Sequence, residues 1–123
     1  MRFRLGVLAA VTGVAGCYSV DDVRKQPVSW TATYSAPYNT VANCLAAQYA
    51  GELSVLPQDY PAEKRANVIL TNPSARGAEA EFEIKQVNPT TTEVTWRRMG
   101  SLFGDASNDR RSRERADRCG KAA

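Results

Sequence analysis

The feature that most constrains this chain is a double run of strict alternation in its second half. Ala78, Ala80, Phe82 and Ile84 alternate with Glu79, Glu81, Glu83 and Lys85. After a turn at Val87-Asn88-Pro89-Thr90, Thr92, Val94 and Trp96 alternate with Thr91, Glu93, Thr95 and Arg97. A period of two sends successive side chains to opposite faces of a strand. Two such runs joined by a short turn predict an antiparallel hairpin with one apolar and one wet face. Glu79, Glu81 and Glu83 then stand about 7 Å apart along one strand. Adjacent carboxylates can hold a hard cation or divide acid and base roles. An open sheet face offers neither the loop carbonyls that calcium takes nor the desolvation that a general acid needs. The alternation therefore predicts a solvated face, with charge offset by Lys85 and the cross-strand Arg97.

The elements around the hairpin follow from the same periodicities. Val28, Trp30, Ala32 and Tyr34 alternate with Ser29, Thr31 and Thr33, a half-buried strand. Ser35 is the expected cap of a helix with Pro37 in its first turn. Val41, Cys44, Leu45, Gln48 and Tyr49 form its stripe at i, i+3, i+4, i+7 and i+8, and Gly51 is expected as a left-handed cap. Residues 52–62 contain Pro57 and Pro61 and read as irregular, with a short edge strand at Leu53–Leu56. Asn67–Thr71 reads as a strand and Asn72–Gly77 as a turn. Gly100–Gly104 reads as a hinge, and Asp105–Arg118 as a polar helix with pairs Asp109–Arg113 and Glu114–Arg118. On that helix Ser112, Ala116 and Cys119 share one face. The sum is an α+β fold: an antiparallel sheet of three to four strands, with two helices packed on one face. Trp30, Tyr34, Tyr49, Phe82 and Trp96 all fall on inferred inward faces, as core residues.

The N-terminus carries a different kind of signal. Arg2 and Arg4 precede an uncharged apolar run from Leu5 to Ala15, too short to span a bilayer, which takes about 20 apolar residues. A basic start, a short apolar run and small residues at its end make a secretory signal. Val14-Ala15-Gly16-Cys17 closes the run and resembles the lipobox of bacterial lipoproteins. The resemblance covers only about the first 17 residues. It implies that Cys17 receives a diacylglyceryl group, becomes the first mature residue and is acylated. More than one acyl chain makes such an anchor stable. Tyr18 stands where an Asp would favour inner-membrane retention, so an outer-membrane anchor facing the periplasm is expected. The expected organisation is a signal peptide at 1–16, a lipidated Cys and polar tether at 17–27, and a single domain at 28–123.

Modification of Cys17 leaves Cys44 and Cys119 as the remaining thiols. An even pair in an exported chain is expected as a disulfide. It would close a loop of about 75 residues, for which the chain-entropy model assigns about 4 kcal/mol. The polar helix at 105–118 has no large apolar stripe, so this bridge is expected to be its main tie.

Chemistry is constrained mostly by exclusion. The chain has no histidine, which removes Ser-His-Asp triads, Cys–His pairs and His-ligated zinc. No glycine-rich phosphate loop, metal-spaced cysteine set or repeat is present, so no catalytic residue, metal or cofactor is expected. Arg110, Arg111, Arg113, Arg115 and Arg118 form a basic cluster, the candidate contact for an anionic surface. Asp109, Glu114 and Asp117 are interleaved, as on a solvated, salt-bridged helix. Charge is uneven: residues 52–96 hold four bases and seven acids, whereas residues 97–123 hold eight bases and four acids. The expected function is a non-enzymatic envelope lipoprotein, a tethered binding or structural module with a membrane anchor and an envelope-protein partner. Nucleic acid is a poor partner for an exported chain, and the oligomeric state is not encoded in any recognisable pattern. The alternative is a periplasmic carrier or sensor, which would need an apolar cavity between Leu45, Phe82 and Trp96.

Overall fold

The computed structural model describes residues 19–71, 77–100 and 106–121. Among these, five strands form one sheet: β1 (Trp30–Tyr34), β2 (Ser54–Tyr60), β3 (Arg65–Thr71), β4 (Ala80–Asn88) and β5 (Thr91–Arg98). The helices are α1 (Val20–Arg24), α2 (Tyr38–Tyr49) and α3 (Ala106–Gly120). The spatial order is β1-β5-β4-β3-β2, every neighbouring pair antiparallel. Strands β2 to β5 thus run as a meander, and β1 joins it by pairing with β5. The fold is α+β, as expected, but the sheet is larger. The segment expected to be mostly irregular is the seven-residue strand β2, which runs through Pro57 because it lies on the outer edge.

The hairpin register places Phe82 opposite Trp96 and Ile84 opposite Val94. With Val68, Leu70, Ala80 and Ala66 these side chains form the inner face, and Val41, Leu45 and Tyr49 of α2 seal it. Phe82 is the hub, its ring centroid 4.5 Å from Trp96, 5.7 Å from Tyr49 and 6.1 Å from Trp30. The five predicted core aromatics all sit in or against this cluster, Trp30 and Tyr34 at its rim.

Both caps expected for α2 differ. Pro37 occupies the N-cap position, and Ser35 lies outside it. The Tyr38 amide instead donates to Gln86 Oε1 at 3.0 Å, from the far end of the hairpin. Gln86 Nε2 also donates to the Asn88 and Thr91 carbonyls at 2.8 and 3.2 Å. One side chain at the β4–β5 bulge therefore closes the turn and starts the helix. At the other end Ala50 is right-handed, and the amides of Glu52 and Leu53 return to the Tyr49 carbonyl. Those bonds satisfy the Tyr49 carbonyl without a left-handed Gly51. Among the described residues positive φ occurs at Lys64, after the 3-10 turn Pro61–Glu63, and at Gly77.

The largest departure lies in the expected tether at residues 17–27. Ser19 and Asp22 make a capping box: Ser19 N–H donates to Asp22 Oδ2 at 2.9 Å and Asp22 N–H to Ser19 Oγ at 3.2 Å. The helix so started, α1, packs on the sheet face opposite α2 and α3, where buried Val23 meets Ile69 and Ala78, with Val20 and Met99 at the margin. The apolar pair Val20 and Val23, spaced i and i+3, is what docks it. The expected turn at 72–77, apart from Gly77, and most of the hinge at 100–104 lie outside the described residues.

Candidate functional site

Two layers carry the polar and covalent features, one on each side of the sheet. On the α2–α3 side Cys44 and Cys119 form the expected disulfide, with Cα atoms 5.6 Å apart. Leu45 and Val41 turn Cys44 toward the core, while Ser112, Ala116 and Cys119 present the small face of α3. Gln48 Nε2 donates to Cys119 Sγ at 3.1 Å and to the Arg115 carbonyl at 3.3 Å. At Gly120 α3 comes so near β1 that a Cβ there would overlap the Tyr34 ring.

The bridge is not the only tie of α3. Trp30 Nε1 donates to Ser112 Oγ at 2.9 Å, and Trp96 Nε1 to Asp109 Oδ1 at 3.0 Å. Arg98 grips Asp109 with Nε and Nη2 at 2.6 and 2.9 Å. Asp109 therefore faces the sheet and does not pair with Arg113, as helical spacing alone suggests. The Arg98 hydrogen bonds, with help from Trp96, hold the Asp109 carboxyl below its ordinary range. The second expected intrahelical pair, Glu114–Arg118, gives way to Arg113–Asp117 at 3.1 Å. Tyr34 Oη donates to Asp117 at 2.7 Å, and burial, reinforced by that bond, raises its pKa well above the usual phenol value.

The five arginines of α3 divide into two groups. Arg115 turns inward, with its guanidinium 4.3 Å from the Tyr49 ring centroid and Nη2 2.6 Å from Glu52 Oε1. That bond lowers the Glu52 carboxyl. Arg113 lies over Trp30 at 5.4 Å and pairs with Asp117. Arg110, Arg111 and Arg118, with Lys121 just beyond the helix, are exposed and form no salt bridge among the described residues. The cluster predicted as one anionic-surface contact thus supplies two structural cations and three outward ones.

The opposite layer corrects the expected wet face. Glu81 is 2% exposed and Glu79 1% exposed. Arg24 of α1 reaches over to Glu81 as a fork, Nε to Oε1 at 3.2 Å and Nη2 to Oε2 at 2.9 Å. With the Asn67 amide oxygen turned toward α1, the same Nη2 lies 2.9 Å from it. Neither carboxyl oxygen of Glu79 has a hydrogen-bond partner among the described residues, and burial raises its pKa. Glu83 behaves as expected for the solvated part of the face, pairing with Arg97 at 3.3 Å.

Among the described residues no group of three His, Cys, Asp or Glu could hold a metal ion. No helix there is long and apolar enough to cross a membrane. The position suited to an apolar ligand, between Leu45, Phe82 and Trp96, is filled by those side chains, each at most 1% exposed. A pocket of about 150 Å³ opens instead between α2 and β2, where Asn39, Asn43, Gln58 and Asp59 supply polar walls. Comparison with known protein families and with curated proteins returns no match.

Proposed function

We propose that this protein is an envelope lipoprotein, anchored through Cys17, whose folded domain is a non-enzymatic binding or structural module. One observation carries the reading: Cys44 and Cys119 are joined, so Cys17 is the one cysteine outside the disulfide, and it ends a basic and apolar leader. A disulfide that ties α3 to α2 suits an oxidising compartment. A core filled by its own aromatic rings favours a module that acts through its surface over a carrier of apolar ligands.

The docking of α1 sharpens how such a protein sits. Val20 follows Cys17 by three residues, so the acylated residue is at most about 7 Å of extended chain from the cap Ser19. The domain is then held against the anchoring surface, not hung from a ten-residue tether. The outer membrane, facing the periplasm, is the proposed site. Metabolic labelling with a palmitate analogue tests the anchor. Label should enter the parent protein and be lost in Cys17→Ala; equal labelling of the two would refute it.

A further inference from the structure

We infer that the outward stripe of α3 is a docking surface for an acidic segment of a partner protein, approaching from the side of the domain opposite the anchored membrane. The arginines of α3 divide by the side of the helix they occupy. Ser112, Arg115, Ala116 and Cys119 are buried, which fixes the inner side of α3. Arg110, Glu114, Arg118 and Lys121, at i, i+4, i+8 and i+11, therefore run along the outer side, with Arg111 flanking Arg118 one heptad away. The stripe extends about 17 Å at 1.5 Å per residue. Four cations share it with Glu114, while Asp117, already paired with Arg113, and Glu52, already paired with Arg115, lie within electrostatic reach of Lys121 and Arg111; none of the four is in a salt bridge among the described residues.

Two observations separate an acidic protein segment from the headgroups of the anchoring bilayer. The first is position. α1 and α3 lie on opposite faces of the sheet. A surface against α1 is separated from the stripe by two helices and the sheet, on the order of 25 Å, or about three Debye lengths at physiological salt. This step rests on the proposed anchor at Cys17. The second is chemistry. The outer side of α3 offers Ser107, arginines, Glu114 and Lys121, and its exposed apolar residue, Ala106, is too small to enter a lipid interface. The cations are spaced about one helical turn apart on a convex surface, so carboxylates spaced along another chain match them.

The test uses the full lipidated protein in neutral phosphatidylcholine liposomes, titrated with fluorescent poly-L-glutamate. Saturable binding is expected, at least about fivefold weaker at 200 mM than at 50 mM salt. The triple variant Arg110→Gln/Arg111→Gln/Arg118→Gln should bind at least about fivefold more weakly, and Lys85→Gln on the opposite face should bind like the parent. Equal binding by parent and triple variant would overturn the proposal, and so would insensitivity to salt. Phosphatidylglycerol added to the same liposomes should leave poly-L-glutamate binding unchanged. A loss of binding there would reassign the stripe to the membrane. Protein that fails to float with liposomes would count against the Cys17 anchor, while poly-L-glutamate binding in free solution would still read the stripe.

Discussion

Glu79 and Glu81 offer a paired test, because they share a strand face and an exposure below 3% but not a partner. Replacing each by Gln keeps the shape and removes the charge. For Glu79 the fold holds a carboxyl whose pKa is raised by burial and whose oxygens bond to none of the described residues. Its contribution to stability is therefore greatest below the unfolded value of about 4.3 and is lost as pH rises through the higher folded value. At pH 7.5 the native state bears a penalty of about 1–3 kcal/mol, the usual cost of a buried polar group without a partner. Glu79→Gln removes the ionisation part of that cost and should stabilise the protein by about 1–2 kcal/mol at pH 7.5, with little effect at pH 4. Glu81→Gln should act in the other direction, because the Arg24 fork loses its anion. Arg24 is 41% exposed, so water softens that loss. The cost should be about 1–2 kcal/mol, concentrated on α1, which can lift without unfolding the sheet. Urea unfolding at both pH values, with m unchanged, reads these differences. A Glu79→Gln variant that is destabilised at pH 7.5, or shifted equally at both pH values, would refute the reasoning.

Other predictions follow from the packing. Cys44→Ala/Cys119→Ala should cost about 4 kcal/mol in urea unfolding. It should speed hydrogen exchange first in residues 106–120, while Asp109 and Arg115 keep α3 from detaching wholly; uniform acceleration would contradict this. Gly120→Ala should cost about 1–3 kcal/mol, because its Cβ would meet the Tyr34 ring, and Tyr34→Ala in the same background should recover part of the loss. Val23→Asp should release α1 and raise the proteolysis rate within residues 19–27, with the near-ultraviolet signal of the aromatic core unchanged.

How much of this fold is legible in the amino-acid sequence depends on how local the physical cause is. The β4–β5 hairpin, the inward aromatics and the small face of α3 follow from periods of 2 and 3.6, and each is legible. The covering of Glu79 and Glu81 is not, because alternation says which residues share a face and nothing about whether a second layer lies on it. Its cause, α1, is five residues long, below the length at which helical periodicity shows, although Ser19 and Asp22 at capping-box spacing are a usable sign. Arg115 illustrates a different failure. It lies three residues after Ser112 and four before Cys119, so helical spacing already places it inward, but its charge argues for solvent. Tyr49 and Glu52, distant in sequence, reverse that preference. The Asp109–Arg98 pair overrides the intrahelical spacing in the same way, since an 11-residue separation across the α3–β5 contact is invisible to helical periodicity.

The central claim is that Cys17 is the membrane anchor and that the folded domain begins almost at once behind it. Mass spectrometry of the N-terminal peptide from membrane-extracted protein tests this most directly. The account predicts a peptide that begins at Cys17 and carries a thioether-linked diacylglyceryl group and an acylated amine. A peptide with an unmodified Cys17, or one that retains the residues before it, would contradict the account.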